Sequence, residues 1–492
     1  MVFILLLFVT FCALALLSWL SLMLDKRRTN VKGPTPYPLI GNGHLLAVDS
    51  AEFLRVLKRL ETQYDGSAFI HLFSKRFVLT SNPKLIEGIL TNSELSLKGP
   101  TYDYIRPWLG DGLLTSSGPK WKAHRRFLTP AFHFNILQNF VPVFCKSAAV
   151  LRKKLRYQAN GSPIDLFPVF ALAALDIVTE SIMGVSVNAQ SDSESEFVKA
   201  VDVMSSIASM RMRNPFVQSD AVFNLLPYKT QQDKALEILH GTTRKVINAR
   251  KEELRKAEIT DLGPNAETGI KNKHAFLDLL LLAEVDGKKI SDDNIREEVD
   301  TFMFEGHDTT TSGLTYCIYI LSYHEDIQEK IFAEQKSIFG DNFERDPTYS
   351  DLQEMKYLDL VIKESLRLFP SVPLIERGIS KDVDVAGLRL LKGTSVVIDL
   401  FNMQRNPDLY EDPLEFRPER FESRTRNPFH WLPFSAGARN CIGQKFATLE
   451  MKVIISDVVK NFKILPLGEE PVLAADLILR SKNGVKVKLQ PR

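Results

Sequence analysis

Hydrophobic and polar positions change their rhythm along this chain. Residues Val2 to Leu24 are almost wholly apolar with no polar stripe, and at roughly 1.5 Å per helical residue the run is long enough to cross the apolar core of a bilayer. From Ala51 onward apolar residues recur mostly at the 3.6-residue spacing of helices that bury one face. Short strand-like stretches interrupt that pattern at Ala68 to Phe73, Arg76 to Thr80, Gly378 to Val385, Ser395 to Leu400 and Val485 to Leu489. Charges crowd Lys251 to Lys273, which also holds Gly263, Pro264 and Gly269 and predicts a solvated connector before a long helix starting near Ser291. The pattern predicts a mainly α fold with a smaller β-rich part, preceded by one N-terminal transmembrane helix: an anchor over 1–24, a basic and proline-rich hinge over 25–50, and one globular domain over 51–492.

The flanks orient the first run. Lys26, Arg27, Arg28 and Lys32 follow it directly, which places the remainder on the cytosolic side. A cleaved signal peptide is the rival reading, but the run exceeds a typical h-region, no basic residue precedes it, and Trp19 to Leu24 offers no small-residue cleavage site. Pro34, Pro36 and Pro38 then fix an extended segment, and Gly41-Asn42-Gly43 lacks the preceding strand and third glycine of a dinucleotide site.

Composition narrows the function classes. With 62 basic and 60 acidic residues the net charge is +2, so the overall balance gives nucleic-acid binding no support. Cys12, Cys145, Cys317 and Cys441 show no paired spacing, which fits a reducing compartment and argues against a disulfide framework or a zinc site. The sequon Asn160-Gly161-Ser162 stays unmodified on the cytosolic side.

The densest chemistry lies at Phe434-Ser-Ala-Gly437-Ala-Arg439-Asn-Cys441-Ile-Gly443. Gly437 permits a tight turn, Arg439 brings positive charge two residues before the sulfur, and the helix-prone run from Gln444 offers free amides, a setting that favours a thiolate. Phe434 can cover one side, and Gly443 lets backbone approach a flat ligand. A buried structural cysteine is the plain alternative. The spacing Phe-x-x-Gly-x-Arg-x-Cys-x-Gly resembles the haem-binding loop of the cytochromes P450, and the resemblance makes Cys441 the axial ligand of a haem b iron.

Glu298 to Thr310 carries acidic, hydroxyl and glycine residues inside an otherwise apolar helix, and resembles the oxygen-activating helix of the same superfamily in its family-four branch, which includes fatty-acid ω-hydroxylases. Gly306 would leave room above a planar ligand, Thr309 can bond a carbonyl one turn back, and Asp308 with Thr309 supplies an acid and a hydroxyl to pass protons toward bound O2. In that branch a glutamate matching Glu305 can form an ester with a haem methyl, which implies possible covalent attachment here. The resemblance further implies haem-propionate partners at Trp121, Arg125, Arg377 and Arg439, and a buried structural trio of Glu364, Arg367 and Arg420 behind the haem loop.

No NADPH or flavin fingerprint accompanies these motifs, so electrons must come from a partner. Lys122, Arg126 and Lys445 form a candidate docking patch for it. The resemblance implies NADPH–cytochrome P450 reductase, with cytochrome b5 as a further donor, at the endoplasmic reticulum membrane. Leu97 to Thr115 and Val198 to Leu226 are rich in aromatic and aliphatic residues and suggest access segments for a lipophilic substrate: a fatty acid, a hormone-like lipid or a xenobiotic. Monooxygenation is the leading expectation. A haem-thiolate isomerase or lyase and a non-catalytic haem sensor or electron-transfer protein are the alternatives.

Overall fold

The computed structural model describes the whole chain except residues 192–194, 260–275, 283, 286, 287 and 424–426. The first apolar run forms the helix Val2–Arg28, with only Leu22 buried. Among the described residues it is the one single helix long and apolar enough to cross a bilayer. It passes beyond the predicted anchor end at residue 24, so the first basic residues of the hinge are helical, and Lys26, Arg27 and Arg28 complement the carbonyl end of the helix.

The root of this helix is fastened to the globule. Arg76 grips Asp25 with two hydrogen bonds of 2.7 and 2.9 Å. Thr29 and Asn30 donate to the carbonyls of Arg389 and Gly387 at 2.6 and 2.8 Å. The acceptors belong to the hairpin Val383–Val385 and Leu388–Leu390 and its turn.

The main sheet has four strands in the order Ser67–Leu72, Lys75–Thr80, Thr394–Asp399 and Leu374–Gly378. The outer pairings are antiparallel and the central one is parallel, so Val396 faces Val78 on one side and Arg377 on the other. The strand expected from Gly378 to Val385 is corrected: a strand ends at Gly378, and only Val383–Val385 continues as part of the separate hairpin. Leu374–Gly378 escaped the hydrophobic pattern because two of its buried positions are Glu376 and Arg377. A second sheet joins Phe462–Pro466, the last strand Lys486–Pro491, and Ile164–Asp165.

The helix Asp292–Ser322 runs through the core, its start capped by Ser291, whose hydroxyl accepts from the Asn294 amide at 3.3 Å. Leu166–Ser181, Pro227–Lys256, Lys356–Leu368 and Gln444–Asn461 pack around it. Residues 251–256 of the predicted connector are thus helical; its part over 260–273 lies outside the described residues. Helix Gly118–Leu128 is tied to the central helix by Lys120 on Glu297 at 3.0 Å and His124 against Glu298 at 2.6 Å.

Candidate active site

Glycine sets the cysteine loop. Gly437 lies at φ +70°, and a Cβ there would stand 1.9 Å from the carbonyl oxygen of Leu90, so neighbouring backbone occupies the place of a side chain. The Cys441 amide donates to the Phe434 carbonyl at 2.9 Å, and Gly443 precedes the first turn of helix Gln444–Asn461. Phe434 packs against Trp431, ring centroids 5.9 Å apart. At Gly443 a Cβ would meet only the Cys441 sulfur, at 3.9 Å, so the chain itself would tolerate one.

Cys441 lines a cavity of about 220 Å³ and is exposed to that space. Burial pushes its thiol up to about 12, and Glu305 adds to the rise; the Gly443 amide and Arg125 oppose it more weakly. The expected help from Arg439 is therefore corrected. Its guanidinium stacks 3.9 Å from the Trp121 ring centre and donates to the carbonyls of Ser96 and Ser116 at 3.1 and 2.7 Å. The surroundings alone keep the sulfur protonated; a coordinated metal ion would take it as thiolate and release the proton.

Lys98, Arg125, Arg377 and Arg439 all line this cavity. Arg125 donates to the backbone and side-chain oxygens of Asn440 at 2.9 and 2.7 Å, pinning the loop. Arg377 is buried and bonds the Glu376 carbonyl at 2.9 Å. Arg439 keeps a buried Nη1 with no partner, and burial together with Arg377 pushes its pKa down to about 9. Lys98, over the Tyr102 ring at 4.2 Å, is driven well below its usual pKa by burial and then by Arg377 and Arg439. Burial depresses all four cations most, and mutual repulsion adds to it at Lys98 and Arg439. A haem fits this site: its iron would meet Cys441 and its two propionates would supply the missing negative charge.

The central helix contributes Glu305, Gly306, Thr309 and Thr310 to the same cavity. Thr309 donates to the Glu305 carbonyl at 2.7 Å, the back-bond its position predicted, while Ser371 donates to the Thr309 carbonyl at 2.8 Å. Gly306 lines the cavity and has a packing use besides. A Cβ there would meet Val178 Cγ2 at 2.6 Å, so its small size lets helix Leu166–Ser181 approach. Asp308 faces neither cavity in this arrangement; it is buried and bonded to Arg480 at 2.8 and 3.0 Å.

A second chamber of about 170 Å³ shares Tyr102, Leu114, Glu305, Thr309, Val372 and Ile375 with the first. Apolar residues including Phe53, Leu72, Phe77, Leu374, Val397 and Leu477 line most of its remainder. Burial pushes Glu305, which borders both spaces, up to about 7, against the pull of Lys98 and Arg125.

A model of the cytochrome P450 family matches residues 31–489. The chain belongs to that family. It is 40% identical to Cytochrome P450 4d2 of Drosophila melanogaster, covering 99% of this chain and 98% of the relative. It is 42% identical to Cytochrome P450 4c3 of the same fly, over 94% and 89%, and 41% identical to human Cytochrome P450 4V2, over 93% and 88%. This P450 is accordingly a haem monooxygenase, using haem b, O2 and electrons from a redox partner.

Behind the P450 cysteine loop, Arg367 grips both oxygens of Glu364 at 2.7 and 2.8 Å and Arg420 adds a bond of 2.8 Å, all three buried. Their spare donors meet carbonyls of Gln404, Pro413 and Glu411 at 2.9, 2.7 and 3.0 Å. Lys122, Arg126 and Lys445 are exposed, the first two a turn apart. Of the access segments, Tyr102, Ile105 and Met212 line a chamber, whereas Trp108 is core, its ring tilted against that of Phe304 with centroids 4.5 Å apart. Arg211 joins the two segments, its guanidinium lying 4.6 Å from the Tyr104 ring and 4.1 Å from that of Phe223. Sequence reasoning missed Lys98, Ser371 and Arg480, isolated polar residues without motif spacing. Only their neighbours in space reveal them.

Proposed function

We propose that this P450 is a membrane-anchored monooxygenase of the endoplasmic reticulum, with its catalytic domain over 51–492 on the cytosolic side, that hydroxylates a lipophilic substrate held in the second chamber. The observation that carries the reading is the chamber itself, apolar over most of its wall and joined to the cysteine cavity at Glu305 and Thr309. Haem, when bound, supplies the activation of O2. Trp121, Arg125, Arg377 and Arg439, with Lys98, hold its propionates. Thr309 presents its hydroxyl at the junction of the two spaces, and Asp308 resupplies protons to Thr309 Oγ1 when it leaves Arg480.

NADPH–cytochrome P450 reductase supplies electrons by docking at Lys122, Arg126 and Lys445, and cytochrome b5 is a second donor for the same face. Glu305 is the residue for an ester to the haem. Acid-solvent extraction then leaves haem on the wild-type chain and strips it from Glu305→Ala; complete release from wild type removes the ester. The substrate reading is tested by incubating the P450, reductase and NADPH with a lipid extract. Products heavier than their precursors by one oxygen are expected, and their absence overturns it.

A further inference from the structure

The polar groups of the second chamber are unevenly placed. Glu305 and Thr309 sit where it meets the cysteine cavity, whereas Ser209, Arg213 and Asp476 line only the part not shared with that cavity. Ser209 and Arg213 stand one turn apart near the end of helix Glu196–Arg213, and Asp476 follows the short strand Leu473–Ala475.

Arg213 and Asp476 have side chains only 10% and 7% exposed, and their charges nearly meet, Nη1 to Oδ1 being 3.6 Å. That distance is too long for a good hydrogen bond. Arg213 Nε is committed to the Val48 carbonyl at 3.0 Å, and Asp476 Oδ2 lies 3.7 Å from Lys482 Nζ. Arg213 Nη1 and Asp476 Oδ1 are thus a buried donor and a buried acceptor that face each other as an ion pair, yet neither makes a hydrogen bond, in a chamber apolar over most of its wall. Such atoms are costly to leave unmet, and a site built to bond a hydroxyl rejects a ligand lacking one.

A group that both accepts and donates can serve the two atoms at once. A carboxylate only accepts; it would leave Asp476 unmet, add like charge beside it, and share the chamber with Glu305 and Glu376 as well. A hydrocarbon end would satisfy neither. We propose that the chamber takes an amphiphile with a neutral hydroxyl head, a lipid alcohol, whose oxygen parts the pair, accepts from Arg213 and donates to Asp476 while the apolar remainder extends toward Thr309 and Cys441. This rests on the lipophilic-substrate reading above and adds the chemistry of the head group.

The test uses the full-length, haem-loaded P450 and reads the shift of its Soret band on titration with 1-dodecanol, dodecanoic acid and dodecane. The alcohol is expected to bind about tenfold more tightly than either the acid or the alkane. In Arg213→Gln, and separately in Asp476→Asn, the ratio of alcohol to alkane affinity falls to about one, with the CO difference spectrum of each variant confirming an intact site. Tighter binding of the acid, or an alcohol preference that survives both substitutions, overturns the head-group site and leaves the monooxygenase reading standing. No shift with any of the three overturns the lipophilic-substrate reading together with it.

Discussion

Behind the cysteine loop, Glu364 collects two buried guanidiniums and backbone carbonyls take most of what remains. On the other side of that loop, Lys98, Arg377 and Arg439 line one cavity with no ion pair to any described residue, and Arg439 Nη1 has no partner at all. Both clusters are cationic, the first wholly buried and the second on a cavity wall with Arg377 buried and Lys98 and Arg439 half-buried. The first is complete within the chain and serves as scaffold, because a buried charge that is paired and bonded can be tolerated. The second is complete only when anions arrive from outside, which is the electrostatic mark of a ligand site.

The contrast breaks most sharply at the complete cluster. Glu364→Ala strands Arg367 and Arg420, at a cost of about 3–5 kcal/mol, and little haem-loaded protein should accumulate, as read by the CO difference spectrum. Gly437→Ala strikes the loop between the clusters. Its new Cβ meets the Leu90 carbonyl at a positive φ, so a loss of about 1–3 kcal/mol in thermal unfolding and a lower haem content are expected.

Lys98→Met should separate the clusters by sign. The folded pKa of Lys98 is depressed, so the stability it contributes is full only above its unfolded value of about 10.4 and is lost as pH falls through the folded value. At neutral pH the haem-extracted variant should therefore melt above the haem-extracted wild type, while the loaded variant releases haem to an acceptor protein about tenfold faster. A lower melting point in both forms would place Lys98 with the scaffold. The smallest effect is outermost: Lys122→Glu with Arg126→Glu should slow reduction by the reductase about tenfold at low salt, converging on wild type as salt screens the patch, with haem content unchanged.

How legible each part was in the sequence follows the same division. The cysteine loop, the Thr309 back-bond and the Glu364–Arg367 pair were readable because fixed local spacings create them, i to i+4 for Thr309 on Glu305 and i to i+3 for Glu364 and Arg367, whereas Arg420, 56 residues from Glu364, was legible only through the family resemblance. Arg480 on Asp308 and Arg213 beside Asp476 were not, because 172 residues separate the first pair and a turn between two short strands supplies the second. Strand Leu374–Gly378 was misplaced for a related reason: Glu376 and Arg377 face the interior for the sake of the cavities, against the rule that buried positions are apolar.

The grip of Arg76 on Asp25 has a mechanical consequence. If the helix is embedded in a bilayer as proposed, an anchor clamped at its root would act as a mast and not as a tether, so that the rocking of the helix would pass directly to the sheet that carries Arg377. The domain would then not tumble freely above the lipid, and its rotational diffusion would slow to that of the embedded helix. A partner confined to the same membrane would meet it at a constant height with the same face presented, which would reduce their encounter from a search over orientations to a search in the plane.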